Sequence, residues 1–168
     1  MTINRDAIMQ ELLKSRPSDD VIKCIGLSRP HALKEYFTYG IHASRQSGSS
    51  RWIIEQLIKD PKAFVIVINS DFKDDFLRMG YKYPQVFGGT IPVPNLVQVG
   101  IDAGNQKTLS KRIYTAKDLV LGKVDLPIDV SAVFFDCFDN ISSRVNMTKY
   151  YEMLATRTDN DPITWLIN

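Results

Sequence analysis

Residues 63–68 read Ala-Phe-Val-Ile-Val-Ile, and residues 130–135 read Val-Ser-Ala-Val-Phe-Phe. Runs of this kind suit strands buried on both faces, because a solvated face would require a polar residue at every second position. Such strands belong inside a sheet that helices cover on both sides. A third run, residues 163–168, is Ile-Thr-Trp-Leu-Ile-Asn. Between these runs the apolar period becomes helical. Residues 48–60 carry Trp52, Ile53, Leu57 and neighbouring isoleucines before Pro61, and residues 5–15 carry Ile8, Leu12 and Leu13 before Pro17. Residues 143–157 place Val145, Tyr150, Tyr151 and Leu154 on one side of a further helix. Strands alternating with helices predict an α/β sandwich with a largely parallel sheet.

The remaining segments fill in that outline. Ser18 caps a short helix over 19–25, and Pro30 takes an N1-like place in a helical turn through Glu35. Residues 1–35 are thus expected as a helical N-terminal segment and residues 36–168 as an α/β core, one compact domain overall. A chain of 168 residues is long enough for one real core and short for two. Residues 36–43 read as a strand, 71–79 as a short helix ended by Gly80, 96–101 as a strand and 115–121 as a short helix. Three prolines and two adjacent glycines make 83–94 irregular. Trp52 and Trp165 read as core, and His42 as packed beside the strand.

Composition excludes several classes. A net charge of +2 gives no basic face spread over the whole protein, as a nucleic-acid-coating domain would have. Lys107, Lys111, Arg112, Lys117 and Lys123 are closely spaced, but a solvated helix or loop accounts for them. Cys24 and Cys137 have no CxxC spacing and only two histidines accompany them, which argues against structural zinc. A reducing cytoplasm is their natural setting. No apolar run reaches ~18 residues, so no membrane span is expected. Asp6 and Glu11 make residues 1–14 unlike a signal peptide.

The chemistry gathers at strand ends. Ala43-Ser44-Arg45-Gln46-Ser47-Gly48-Ser49-Ser50 leads straight into Arg51 and the 48–60 helix. Set against G-x-x-x-x-G-K-[ST], Ala43 takes the first glycine, Gly48 the second, Ser49 the lysine slot and Ser50 the hydroxyl slot. Such loops bring backbone N–H groups together on phosphate oxygens at the positive end of a helix. A βα turn without ligand, with glycine giving φ > 0 and serine a cap, accounts for the same octet. The 130–135 run feeds Asp136, with Cys137 and Asp139 close behind, and both carboxylates also suit helix caps.

Loop, acidic strand and polar-ended strand occur in an order that resembles the core of P-loop NTPases, in the branch that includes helicases and viral DNA-packaging terminases. The resemblance spans roughly residues 36–168 and implies a P-loop NTPase-like three-layer sandwich that binds ATP and Mg²⁺. It implies nucleotide contacts from Ala43, Ser44, Arg45, Gln46, Ser47, Gly48, Ser49, Ser50 and Arg51. Ser50 and Asp136 would hold the metal, and Asn168 would sense the γ-phosphate. Arg45 or Arg51 would replace the missing lysine. Cys137 departs from the family, standing where a glutamate usually activates water, and Asp139 is the nearest carboxylate that could act as the catalytic base.

Two function classes follow from that resemblance. Losing one charged contact to the transition state costs on the order of 3–4 kcal/mol, and the absence of the glutamate adds to it. The first class is therefore a degenerate, non-catalytic or weakly active domain. It would serve as adaptor or regulator of a nucleic-acid-processing assembly, with nucleic acid or a protein of that assembly as partner. The alternative is an active ATPase of a packaging or helicase machine with a variant loop. A plain α/β binding module is a third option. Self-association stays open, and a viral origin would place the protein in the host cytoplasm.

Overall fold

The computed structural model describes residues 4–42, 48–82 and 109–168. Among them, α1 (Arg5–Lys14), α2 (Asp19–Ile25) and α3 (Arg29–Tyr36) precede β1 (Thr38–Ile41). Next come α4 (Ser49–Lys59), β2 (Ala63–Val67), α5 (Ser70–Lys82), β3 (Ile113–Thr115) and α6 (Ala116–Val120). The last elements are β4 (Ala132–Asp136), α7 (Phe138–Ser142), α8 (Met147–Arg157) and β5 (Ile163–Ile167). The five strands form one sheet in the order β1-β5-β4-β2-β3, and every neighbouring pair is parallel.

The apolar runs lie where their composition demands. All five residues of β2 and all five of β4 are buried. Strand alternation divides their side chains between two cores. Phe64, Ile66, Val133 and Phe135 pack with Leu33 of α3, Ile141 of α7, and Tyr150, Tyr151 and Leu154 of α8. Val65, Val67, Phe134 and Trp165 pack with Trp52, Ile53 and Leu57 of α4 and Phe76 of α5. Helices therefore cover both faces of an all-parallel sheet, as the sequence predicts. At full burial each such large apolar side chain contributes about 1.5–3 kcal/mol.

The N-terminal helices belong to these same layers. Met9, Leu12 and Leu13 of α1 pack on the α4 side, whereas Ile22 of α2 joins the α8 side. Trp52 and Trp165 are core, as expected.

Several boundaries differ from the sequence reading. Helix α5 passes through Gly80 to Lys82 instead of stopping there. Burial of Phe76 beneath it outweighs the ~1 kcal/mol that a helical glycine costs. The helix expected over 143–157 begins only at Met147, because the Asn146 side chain accepts from Lys149 N at 3.2 Å and caps α8 there. Tyr36 ends α3 and β1 begins only at Thr38. Strand β3 went unanticipated; it forms the sheet edge beside β2. His42 is exposed rather than packed. The irregular 83–94 stretch and the 96–101 strand lie outside the described residues. None of the described helices is long and apolar enough to cross a membrane.

Candidate functional site

In a parallel sheet all strand carboxyl ends share one edge, and ligands of open α/β folds bind beyond it. The order β1-β5-β4 makes neighbours of the three strand ends that carry chemistry. Strand β1 leads toward α4 on one face, and β4 leads to α7 and α8 on the other. The end of β5 lies between them. The residue that follows it is tied in, since Asn168 N donates to Ile41 O at 3.1 Å.

Gly48 is the N-cap of α4 with φ 79° and ψ 25°. An added Cβ would meet nothing within 4 Å, so glycine is needed here for its backbone conformation and not for space. Having no side chain, Gly48 cannot cap the helix, and the first-turn N–H groups of an 11-residue helix point out from its N-terminus.

Ser50, in that first turn, donates from Oγ to Asp136 Oδ2 at 2.9 Å. Asp136 closes β4 and is 2% exposed. Burial pushes its carboxyl above the ordinary carboxylate range, and the Ser50 hydrogen bond acts in the opposite direction. A buried carboxylate beside a hydroxyl is a hard oxygen pair. Adjacent ligands of octahedral Mg²⁺ at ~2.0–2.1 Å lie about 2.9–3.0 Å apart, so the pair fits that ion. Among the described residues no three His, Cys, Asp or Glu gather into an all-protein cage.

Beyond Asp136 the chain turns sharply. Cys137 has φ 59° and ψ 53°, the one non-glycine residue with positive φ among the described residues. Left-handed backbone costs such a residue about 1–2 kcal/mol. The bend starts α7 and carries Asp139 to Asn168. Asp139 N donates to Asn168 Oδ1 at 2.8 Å, and Asn168 Nδ2 donates to Asp139 Oδ1 at 3.1 Å. The amide is thereby oriented, and the exposed carboxylate is held at the same sheet edge as Asp136.

The sequence-predicted residues thus form two direct pairs, Ser50 with Asp136 and Asp139 with Asn168. Ala43, Ser44, Arg45, Gln46 and Ser47 lie outside the described residues. Arg51 runs along its own helix, its Nε 3.4 Å from Glu55 Oε1. Ser49, the lysine slot, accepts a 3.2 Å hydrogen bond from Arg5 Nη2. That arginine, on α1, escaped the sequence reading. Its one sequence-level signal is a cation in the first turn of a helix, where the dipole disfavours it.

The clustered cations divide between surface and core. Lys111, Lys117 and Lys123 are exposed, and Lys107 lies outside the described residues. Arg112 turns inward instead: its Nη1 donates to Leu57 O at 2.7 Å, Asp60 O at 3.0 Å and Ala63 O at 3.4 Å. It closes the C-terminal end of α4 against the start of β2.

No protein-family model, curated protein or solved structure matches the chain.

Proposed function

We propose that the protein is a degenerate P-loop NTPase-like domain that binds ATP with Mg²⁺ and hydrolyses it weakly or not at all. The observation that carries this reading is the 2.9 Å hydrogen bond between Ser50 and Asp136. A ligandless βα turn needs neither a hydroxyl on a buried carboxylate nor the cost of keeping that carboxylate buried. Helix α4 offers N–H groups to the phosphates, and Ser50 with Asp136 offers oxygens to the ion. Bound Mg²⁺ would neutralise phosphate charge and offset the burial of Asp136.

Weak or absent hydrolysis follows from what the chain offers in place of the usual groups. Phosphoryl transfer needs a residue that orients water and cations on the departing phosphates. Cys137 replaces the water-orienting carboxylate. Asp139, the nearest substitute, has its Oδ1 engaged by Asn168. A nucleotide-bound state that persists suits an adaptor or regulator of a nucleic-acid-processing assembly. The same Asp139–Asn168 contact favours a second reading, slow hydrolysis, in which Asn168 holds Asp139 as a base near the phosphates.

Thermal melting with ATP–Mg²⁺ and with ATP–EDTA tests the proposal. At 100 times the dissociation constant a ligand adds about 2.7 kcal/mol of stability. A rise in Tm with ATP–Mg²⁺ that EDTA removes supports the reading, and unchanged melting at millimolar ATP–Mg²⁺ refutes it. Single-turnover release of phosphate separates the two variants of the reading: release abolished by Asp139→Asn selects slow hydrolysis.

A further inference from the structure

We infer that α1 is a strap that opens as its own unit, with the sheet and the other helices still folded, and that the Asp6 carboxylate is its latch. Arg5 is the one buried residue of this helix. Its apolar anchors, Met9, Leu12 and Leu13, are only half-buried. By contrast, α4 buries Trp52, Ile53, Ile54, Gln56 and Leu57, and α8 buries Tyr150, Tyr151 and Leu154. A cleft of about 190 Å³ remains where α1 meets the sheet, lined by Met9 and Leu13 of the helix and by Phe134, Ile163 and Trp165 of the strands. Interiors are close-packed, so groups that face such a gap lack contacts on that side. An element with few buried apolar contacts belongs to the low-stability end of a structure, where opening precedes global unfolding.

Polar contacts hold the helix where apolar ones are thin. Asp6 accepts from Trp52 Nε1 at 2.6 Å, Gln56 Nε2 at 2.9 Å and Lys59 Nζ at 3.1 Å, three donors spread along α4. Lys59 is the charged member of that set, and Arg5, beside Asp6 on α1, reaches Ser49 at the other end of α4. The Asp6 carboxyl lies below its ordinary value, first through the Trp52 indole N–H. The latch therefore holds at neutral pH and weakens as pH falls through the depressed value. The hinge is equally defined. Just past α1, Arg16 lies over the Phe37 ring, 4.6 Å from guanidinium carbon to ring centroid, and its Nη2 is 2.9 Å from Asp19 Oδ1. Ile22 of α2 then packs in the core on the other face of the sheet. The chain is thus pinned at Arg16, and α1 can leave without drawing α2 with it. Opening uncovers the apolar cleft and the indole of Trp52, which the closed strap hides.

The test is hydrogen exchange followed by NMR on the wild type, Asp6→Ala and Tyr150→Phe, in rising sub-denaturing urea at neutral pH and then in acid. The probes are the Trp52 indole N–H, which exchanges only once Asp6 leaves it, the α1 amides of Leu12 and Leu13, and the β4 amides of Val133 and Phe134. The indole and the α1 amides are expected to share one protection factor, about 100-fold or more below that of β4 and nearly independent of urea. Asp6→Ala lowers it about fivefold. Acid lowers it in the wild type but not in Asp6→Ala. Tyr150→Phe removes a hydrogen bond to Thr164 in the opposite core. Protection in β4 then drops about tenfold, while α1 exchanges as in the wild type. The inference is overturned by α1 protection equal to that of β4, by α1 following β4 in Tyr150→Phe, or by an indole N–H that Asp6→Ala leaves unmoved. Divergence of the indole from the α1 amides, the mark of fraying without undocking, overturns it as well. Should Tyr150→Phe not fold, the urea series on the wild type decides: α1 exchange as urea-dependent as that of β4 overturns the inference.

Discussion

The Ser50 hydroxyl and the Asp136 carboxylate, 86 residues apart in the chain, meet at 2.9 Å on the carboxyl edge of the sheet. One sits in the first turn of a helix and the other at the end of a buried strand, so the contact ties the α4 layer to the centre of the sheet. A carboxylate kept at 2% exposure there lowers stability, and a protein keeps such a group where function needs it.

Asp136→Asn is therefore expected to stabilise the protein at neutral pH while abolishing Mg²⁺-dependent nucleotide binding. The carboxyl of the folded state titrates above its ordinary value because burial disfavours the charge. The folded state thus binds the proton more tightly than the unfolded chain. The destabilisation is complete above the raised value, fades as pH falls through it, and is gone below the ordinary value. The Tm gain of Asp136→Asn follows the same course, large at pH 7 and absent in acid. Each kcal/mol moves the midpoint of a domain this size by about 2–4 °C. Melting curves of both proteins across that range check it.

Asp6 carries the opposite sign. Its carboxyl lies below the ordinary value, chiefly through the Trp52 indole N–H, with Lys59 and Gln56 adding to it and burial opposing them. Its contribution is present above the ordinary value and lost as pH falls through the depressed one. Asp6→Ala should cost about 1 kcal/mol at pH 7, the carboxylate being half exposed, and nothing once wild-type Asp6 is itself protonated. Urea unfolding at several pH values reads the difference. Trp52 fluorescence should shift in parallel as α1 loosens from α4.

Arg112 is expected to matter for the fold. Its guanidinium holds three backbone carbonyls where α4 gives way to β2. Arg112→Ala leaves those carbonyls short of a charged donor and should cost about 2–3 kcal/mol. Lys111→Ala and Lys117→Ala, at exposed positions, should each change stability by less than about 0.5 kcal/mol. Equal losses for Arg112 and Lys111 in urea unfolding would contradict this division.

The central strands were legible in the sequence because six-residue apolar runs admit few other fates in a chain of this size. Ser50 and Asp136 were legible as a pair through the order of motifs, although nothing local to either residue reveals the other. Two short elements were not legible. Ile113–Thr115 is too brief to show a period, and Phe138–Ser142 is little more than one turn. Gly80 misled because its local cost is smaller than the packing of Phe76 that holds α5 together. Arg5 was hidden for a different reason. Its partner at Ser49 is set by the docking of α1, which depends on three donors spread along α4. No pattern within α1 encodes that.

The most direct measurement is a calorimetric double-mutant cycle on ATP binding with Ser50→Ala, Asp136→Asn and the double variant, each titrated with and without Mg²⁺. The account predicts binding that requires Mg²⁺, losses in both single variants, and a double variant little worse than Asp136→Asn, because the two oxygens act on one ion. Equal affinity with and without Mg²⁺, or an Asp136→Asn variant that binds as the wild type does, would contradict it.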